Sequence, residues 1–408
     1  MSAVIERLQL LARRGAQEDG IDRALFTPAE HEARLLFASW ARDAGFDLAQ
    51  DLAGNLFARR GGRQAGPAVL VGSHLDTVKN GGAYDGAYGV VAALCALESL
   101  ARDGTETDRA IEVVAWAGEE GSRFPLGCLG SGAYSGGNAL SEIEALVADD
   151  GTPFPAARDG ASGLLPGVPV RHTFPAVAAY LEIHVEQGPV LERAGERLGV
   201  VTAIAGARRY RVDVTGEAGH AGTVPMTMRH DALVAAAEIV LALEARAREL
   251  GECVVTVGHL VVSPNQTNIV PGSVLFRVDA RSVDDARTAR LDETLRAACA
   301  DVERRRGVTA RVTELEVRGA VAMEARLRDV LGATIAGMGL HAIDLPSGAG
   351  HDAMCLAPVS PTAMLFVPSA GGRSHVGDEY TEPADLELGV AVLSRAIVAV
   401  DRALSERN

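Results

Sequence analysis

The stretch "GSHLDTVKNGGAYDGAYGVVAAL" runs from Gly72 to Leu94 and carries His74, Asp76 and Asp85. His74 and Asp85 are eleven positions apart, too far for one helical turn. They meet only where the Gly81-Gly82 turn folds the chain back. Further on stand Glu119 and Glu120 in "AGEEGSRF", His184 in "LEIHV" and His375 in "PSAGGRSHVGDE". Imidazoles and carboxylates are the donors a zinc- or manganese-like divalent ion takes in a hydrolytic centre. His74, Asp85, Glu120, His184 and His375 suffice for two ions about 3.5–4 Å apart when one carboxylate is shared. Asp85, on its flexible turn, is the natural bridge. Asp76 is spaced to accept a hydrogen bond from the His74 imidazole behind the ions. Side chains of neighbouring residues past a strand diverge, so Glu119 and Glu120 divide the work. Glu120 is read as a ligand and Glu119 as the group that moves a proton between water and a leaving nitrogen. His31, His172, His230, His259 and His341 lack such surroundings and are read as ordinary histidines.

These residues share a position along their elements. "PAVLVGS" (67–73), "IEVVAWAG" (111–118), "VAAYLEIHV" (177–185) and "TAMLFVPS" (362–369) are continuous apolar runs, the pattern of strands buried on both faces. Helical stretches alternate with them, at about 89–101 and at the C-terminus over about 384–404, which implies an α/β fold with a mostly parallel sheet. In such sheets ligands bind beyond the carboxyl ends of the strands, where the imidazoles and acids fall. The middle of the chain differs. "RRYRVDVTG", a helix capped by Asp231, "CVVTVGHLVVS", "SVLFRVDARS", a helix ending at Gly307 and "TARVTELEVRG" follow in the order β-α-β-β-α-β, the ferredoxin-like pattern. A catalytic domain over 1–205 and 317–408, interrupted by a hinged lid over 206–316, is the organisation expected.

The 408 residues carry a formal net charge of -15, which disfavours a nucleic-acid or anionic-membrane partner. An anionic substrate therefore needs local positive charge. Cys95, Cys128, Cys253, Cys299 and Cys355 are dispersed, odd in number and without a C-x-x-C pair, the usage of reduced thiols in a cytoplasmic protein. The first twenty residues read as an amphipathic helix rather than a signal peptide, and the apolar run "GVVAALCALESL" is too short to span a bilayer.

"GSHLDTVKNGGAYDG", "AGEEGSRF", "EIHVEQGPVLE", "GEAGHAGTVPMTMRHDA", "TNIVPGSVLFRVDAR", "SGAGHDA" and "MLFVPSAGGRSH" occur in that order between about residues 70 and 380. This series resembles the hydantoinase/carbamoylase family of amidohydrolases, in the clan of di-metal aminopeptidases and carboxypeptidases. The family includes N-carbamoyl-L-amino acid hydrolases, allantoate amidohydrolases and β-ureidopropionases. The resemblance implies the same ligands, with Asp85 bridging and Glu119 catalytic, two divalent ions (Zn, Mn, Co or Ni) and a homodimer whose inserted domain serves as lid and dimerisation domain. It also implies that Gln187 faces the substrate, and that His220 reaches the partner subunit's active site to stabilise an oxyanion. Asn268 and Arg281 would hold the substrate carboxylate, and Gly350 and His351 would line the pocket. Arg281 suits that role by its planar fork and its positive charge in an acidic chain. The expected activity is hydrolysis of the carbamoyl C–N bond of N-carbamoyl-L-amino acids to the amino acid, carbon dioxide and ammonia. Ser-Arg-Phe after Glu119-Glu120-Gly121 leans toward allantoate-type sequences, and allantoate hydrolysis is the alternative, with β-ureidopropionase beside it. A catalytically silent metal-dependent binding protein is the reading from another class.

Overall fold

A computed structural model describes residues 2–406. It divides into two compact units, one formed by residues 2–202 and 323–406 and the other by 203–322.

In the first part of the larger unit come α1 (Ala3–Ala12), α2 (Pro28–Asp43), β1 (Asp47–Asp51), β2 (Leu56–Arg60), β3 (Ala68–His74), α3 (Ala87–Arg102), β4 (Ile111–Trp116) and β5 (Val177–Val185). The smaller unit holds β6 (Gly206–Thr215), α4 (Ala232–Leu250), β7 (Cys253–Ser263), β8 (Ser273–Ser282), α5 (Asp285–Arg306) and β9 (Thr309–Arg318). The chain then returns through α6 (Ala325–Gly337), β10 (Thr362–Val367) and α7 (Pro383–Ser405).

The central strands of the larger unit are ordered β10-β5-β3-β4-β2-β1. β10, β5, β3 and β4 run parallel, while β2 is antiparallel to β4 and β1 antiparallel to β2. Every residue of β3, β4 and β10 is buried, as expected of a parallel sheet covered on both faces. α3 is buried almost all round, packing against β3 and β5 beneath α1 and α7. Its close seat depends on Gly89, where a Cβ would come within 2.4 Å of the Ile183 carbonyl oxygen.

Two expectations are adjusted. The N-terminal helix stops at Ala12, and the chain then turns through Gly15 at φ +81°. The short, polar segments "DLAQD" and "LFARR" form the antiparallel flank of the sheet, which no apolar run announced.

In the smaller unit the four long strands are all antiparallel, in the order β7-β8-β6-β9. Alternation makes its core: Tyr210, Val212 and Val214 of β6 and Val274, Phe276 and Val278 of β8 meet Ala235, Ile239 and Leu243 of α4 and Leu295, Cys299 and Val302 of α5. Asp231 caps α4, accepting from the Leu233 and Val234 amides, and Gly307 ends α5 at φ +64°.

Candidate metal centre

β3, β4 and β5 are parallel neighbours, with His74 opposite Trp116 and Phe366 of β10 opposite His184. Their carboxyl ends thus lie along one edge. His74 is the last residue of β3, Glu119 and Glu120 follow β4 by three and four positions, and His184 is the penultimate residue of β5. Asp85 arrives from the turn that leads into α3. At the N-cap of α3, Gly86 has φ +61°, and a Cβ there would stand 2.3–2.4 Å from the His74 ring. Only glycine brings the turn under that imidazole.

Asp85 is the hub. Its Oδ1 lies 3.2 Å from His184 Nε2 and 3.6 Å from His74 Nε2, and its Oδ2 lies 3.2 Å from His375 Nε2. His375 Nε2 is 3.5 Å from Glu120 Oε2, and His74 Nε2 is 3.8 Å from Glu119 Oε2. Beside the groups His74, Glu119 and Glu120, and Glu182, His184 and His351, two triads stand out: His74, Asp85 and His184 each offer a donor atom within 4.8 Å of the other two, and so do Asp85, Glu120 and His375. They share Asp85. Both inner imidazoles are oriented from behind, with Nδ1 of His74 facing the Asp76 carbonyl oxygen at 3.0 Å and Nδ1 of His184 facing that of Val185 at 2.8 Å. With Nδ1–H donating there, Nε2 is left as the acceptor, the tautomer a cation needs, and in His184 it accepts from the Gly86 amide at 3.0 Å.

Here the expected role of Asp76 is corrected. The His74 ring bonds its main-chain oxygen, while the side-chain oxygen stays 3.7 Å away. The Asp76 carboxylate instead accepts from the amides of Glu119 and Glu120, both at 3.2 Å. It fixes the turn from which the two glutamates diverge.

The donor set fits divalent ions. Acids outnumber what the imidazoles neutralise: burial and the neighbouring Asp85 push Glu120 up to about 8, and burial raises Glu119 as well. Glu120 Oε1 is buried with no hydrogen-bond partner. Burial would depress His74, yet its hydrogen bond to Asp85 and the surrounding carboxylates hold it well above the usual range. Asp85, despite burial, is held well below its usual range by three imidazoles. Cations at these two positions would take over the neutralising that protons otherwise perform.

The remaining expected residues fall as follows. Gln187, at φ +59°, donates to Asp85 Oδ2 at 2.8 Å. His351 is fully buried, with its ring centroid 4.6 Å from that of His184 and Nε2 2.8 Å from Ser347 Oγ; Gly350 precedes it. In the smaller unit His220 faces Ile269 across a two-stranded ladder, and Asn268, exposed, accepts from the Ala221 amide. Arg281 lies apart from these two on β8, opposite Ala207, and pairs with Asp279 at 2.8 Å. Sequence reasoning missed three groups. Cys128 donates to Glu119 Oε1 at 3.3 Å, Ser374 bonds Asp85 Oδ2 at 3.0 Å, and Glu379 accepts from the Asp85 amide at 2.9 Å. The last two stand beside or just after His375 in "SHVGDE", the one signal that would have found them.

With this geometry in place, the comparisons with known proteins decide the family. The profile of Peptidase family M20/M25/M40 matches residues 70–399. The chain belongs to this family. Within the M20/M25/M40 peptidases it is 38% identical to an N-carbamoyl-L-amino-acid amidohydrolase of Paenarthrobacter aurescens, over 97% of both chains. It is 37% identical to an allantoate amidohydrolase of Bacillus subtilis, over 96% of each. The crystal structure of a hydantoinase/carbamoylase family amidase from Burkholderia multivorans superposes with a TM-score of 0.91 at 36% identity, covering 97% of each chain. No described helix is long and apolar enough to cross a membrane.

Proposed function

We propose that this chain is a two-cation amidohydrolase that cleaves the carbamoyl C–N bond of N-carbamoyl-L-amino acids, releasing the amino acid, carbon dioxide and ammonia. The observation that carries the reading is the pair of donor triads sharing Asp85 at the carboxyl edge of the parallel strands. His74, Asp85 and His184 would hold one ion, and Asp85, Glu120 and His375 the other. Bound there, zinc, manganese, cobalt or nickel supplies Lewis acidity that acidifies water and polarises the carbamoyl oxygen. Glu119, outside the two Asp85 triads and raised by burial, accepts the proton of the attacking water and delivers it to the leaving nitrogen. Cys128 bonds its carboxylate and Asp76 its main-chain amide, which keeps it in place.

The smaller unit, in this proposal, is a lid and dimerisation domain of a cytoplasmic homodimer. His220 stabilises the charge developing on oxygen, and Asn268 and Arg281 bind the substrate carboxylate. Gln187, Gly350 and His351 line the pocket. Allantoate is the second reading, favoured by the 37% identity to the Bacillus enzyme and by Ser122-Arg123-Phe124. Ammonia release from a panel of N-carbamoyl-L-amino acids, N-carbamoyl-β-alanine and allantoate, with manganese, zinc, cobalt or nickel added in turn, tests both. Fastest release from an N-carbamoyl-L-amino acid is expected. Preference for allantoate selects the alternative, and no release with any of the four metals overturns the enzymatic reading.

A further inference from the structure

We propose that Glu379 is a positioning residue that ties His375 to Asp85 and thereby sets the second cation position. The inference rests on the two-cation reading above and goes beyond it in giving the two positions different supports. The Glu379 carboxylate is buried and joins two chain segments. Its Oε1 accepts from the amides of Tyr84 at 2.8 Å and Asp85 at 2.9 Å. Its Oε2 lies 2.8 Å from Ser374 Oγ, which is also 3.0 Å from Asp85 Oδ2. One hydroxyl proton thus sits between two carboxylates, beside the residue that must reach the ion. The turn has been cleared for Glu379: a Cβ on Gly82 would stand 2.4 Å from its Cδ.

His375 needs such a tie. It is half-exposed, sits on no strand or helix and has φ +59°, a conformation costing about 1–3 kcal/mol that its surroundings must impose. His74 and His184 need none, because they are buried in β3 and β5 and their rings are held by main-chain carbonyls. Asp85 itself keeps a further contact, from Gln187 Nε2. Removing Glu379 should therefore loosen the triad Asp85-Glu120-His375 and spare His74-Asp85-His184.

The test uses the full chain, stripped of metal, in wild-type, Glu379→Ala and Glu379→Gln forms. Manganese binding is followed by equilibrium dialysis with metal analysis, and amide hydrogen exchange is measured on the metal-free protein. Glu379→Ala is expected to bind one ion as the wild type does and the second about 10–100-fold more weakly. Glu379→Gln, which keeps an oxygen for the two amides, should fall between, and it decides the matter if the alanine variant does not fold. Exchange should quicken at Tyr84, Asp85 and 374–379 and stay unchanged at the ends of β3 and β5. Two ions bound with wild-type affinities, or both weakened equally, would overturn the proposal, as would unchanged exchange at Tyr84 and Asp85. A wild-type chain that binds fewer than two ions would instead refute the two-cation reading, and exchange alone would then judge the tie.

Discussion

At the residue scale the proposed proton transfer and ligation fall one position apart, on Glu119 and Glu120. Glu119→Gln keeps shape and removes the base, so turnover should fall about 10²–10⁴-fold while metal content and thermal stability stay near wild type. Near-normal turnover in that variant would end the assignment. Arg281 is a harder case, because its guanidinium already engages Asp279, which also pairs with Arg209. If Arg281 also clamps the substrate carboxylate, Arg281→Lys should raise KM about tenfold with kcat less affected, since an ammonium cannot bind bidentately. A lower melting temperature with unchanged KM would mean that it serves the sheet alone. The gathering of His74, Asp85, Glu120, His184 and His375 was legible in the sequence because His, Asp and Glu at strand ends have few competing explanations once they recur together. The duty of Asp76 was not, since spacing cannot tell whether a ring bonds a side-chain or a main-chain oxygen. Ser374 and Glu379 were hidden because their contacts with Asp85 join segments distant in the chain, and Cys128 because a loop, which has no periodic pattern, folds it back on Glu119.

At the element scale the decisive feature is the turn between β3 and α3. It must place Asp85 under the His74 ring, and Gly86 alone leaves the room. Gly86→Ala adds a Cβ against the imidazole at a positive φ, so loss of metal binding is expected, with destabilisation of about 1–3 kcal/mol. Denaturant unfolding and metal analysis would check it, and a variant with full metal content would show that the turn yields more easily than described. Strands buried on both faces were readable as apolar runs, whereas β1 and β2 were not. They are short, rich in charge and stabilised by pairing with β4 and with each other rather than by their own pattern. In the smaller unit the alternation of β6 and β8 and the caps at Asp231 and Gly307 were readable because each is a local signal.

At the scale of the whole molecule the chain carries a net charge of -15, and the candidate centre gathers Asp85, Glu119 and Glu120 at one place. Such a centre is stabilised by cations that bind only the folded state. Chelation should abolish ammonia release and lower the melting temperature while the far-ultraviolet circular dichroism persists. Activity should return on adding manganese, cobalt, nickel or zinc. Full activity in protein shown to be metal-free would contradict the proposed chemistry.

The central claim is that Asp85 is shared by two cations. Anomalous diffraction from crystals grown with manganese measures this directly. Two peaks about 3.5–4 Å apart, each within bonding distance of an Asp85 oxygen, are predicted. A single peak, or a pair of which only one touches Asp85, would contradict the account.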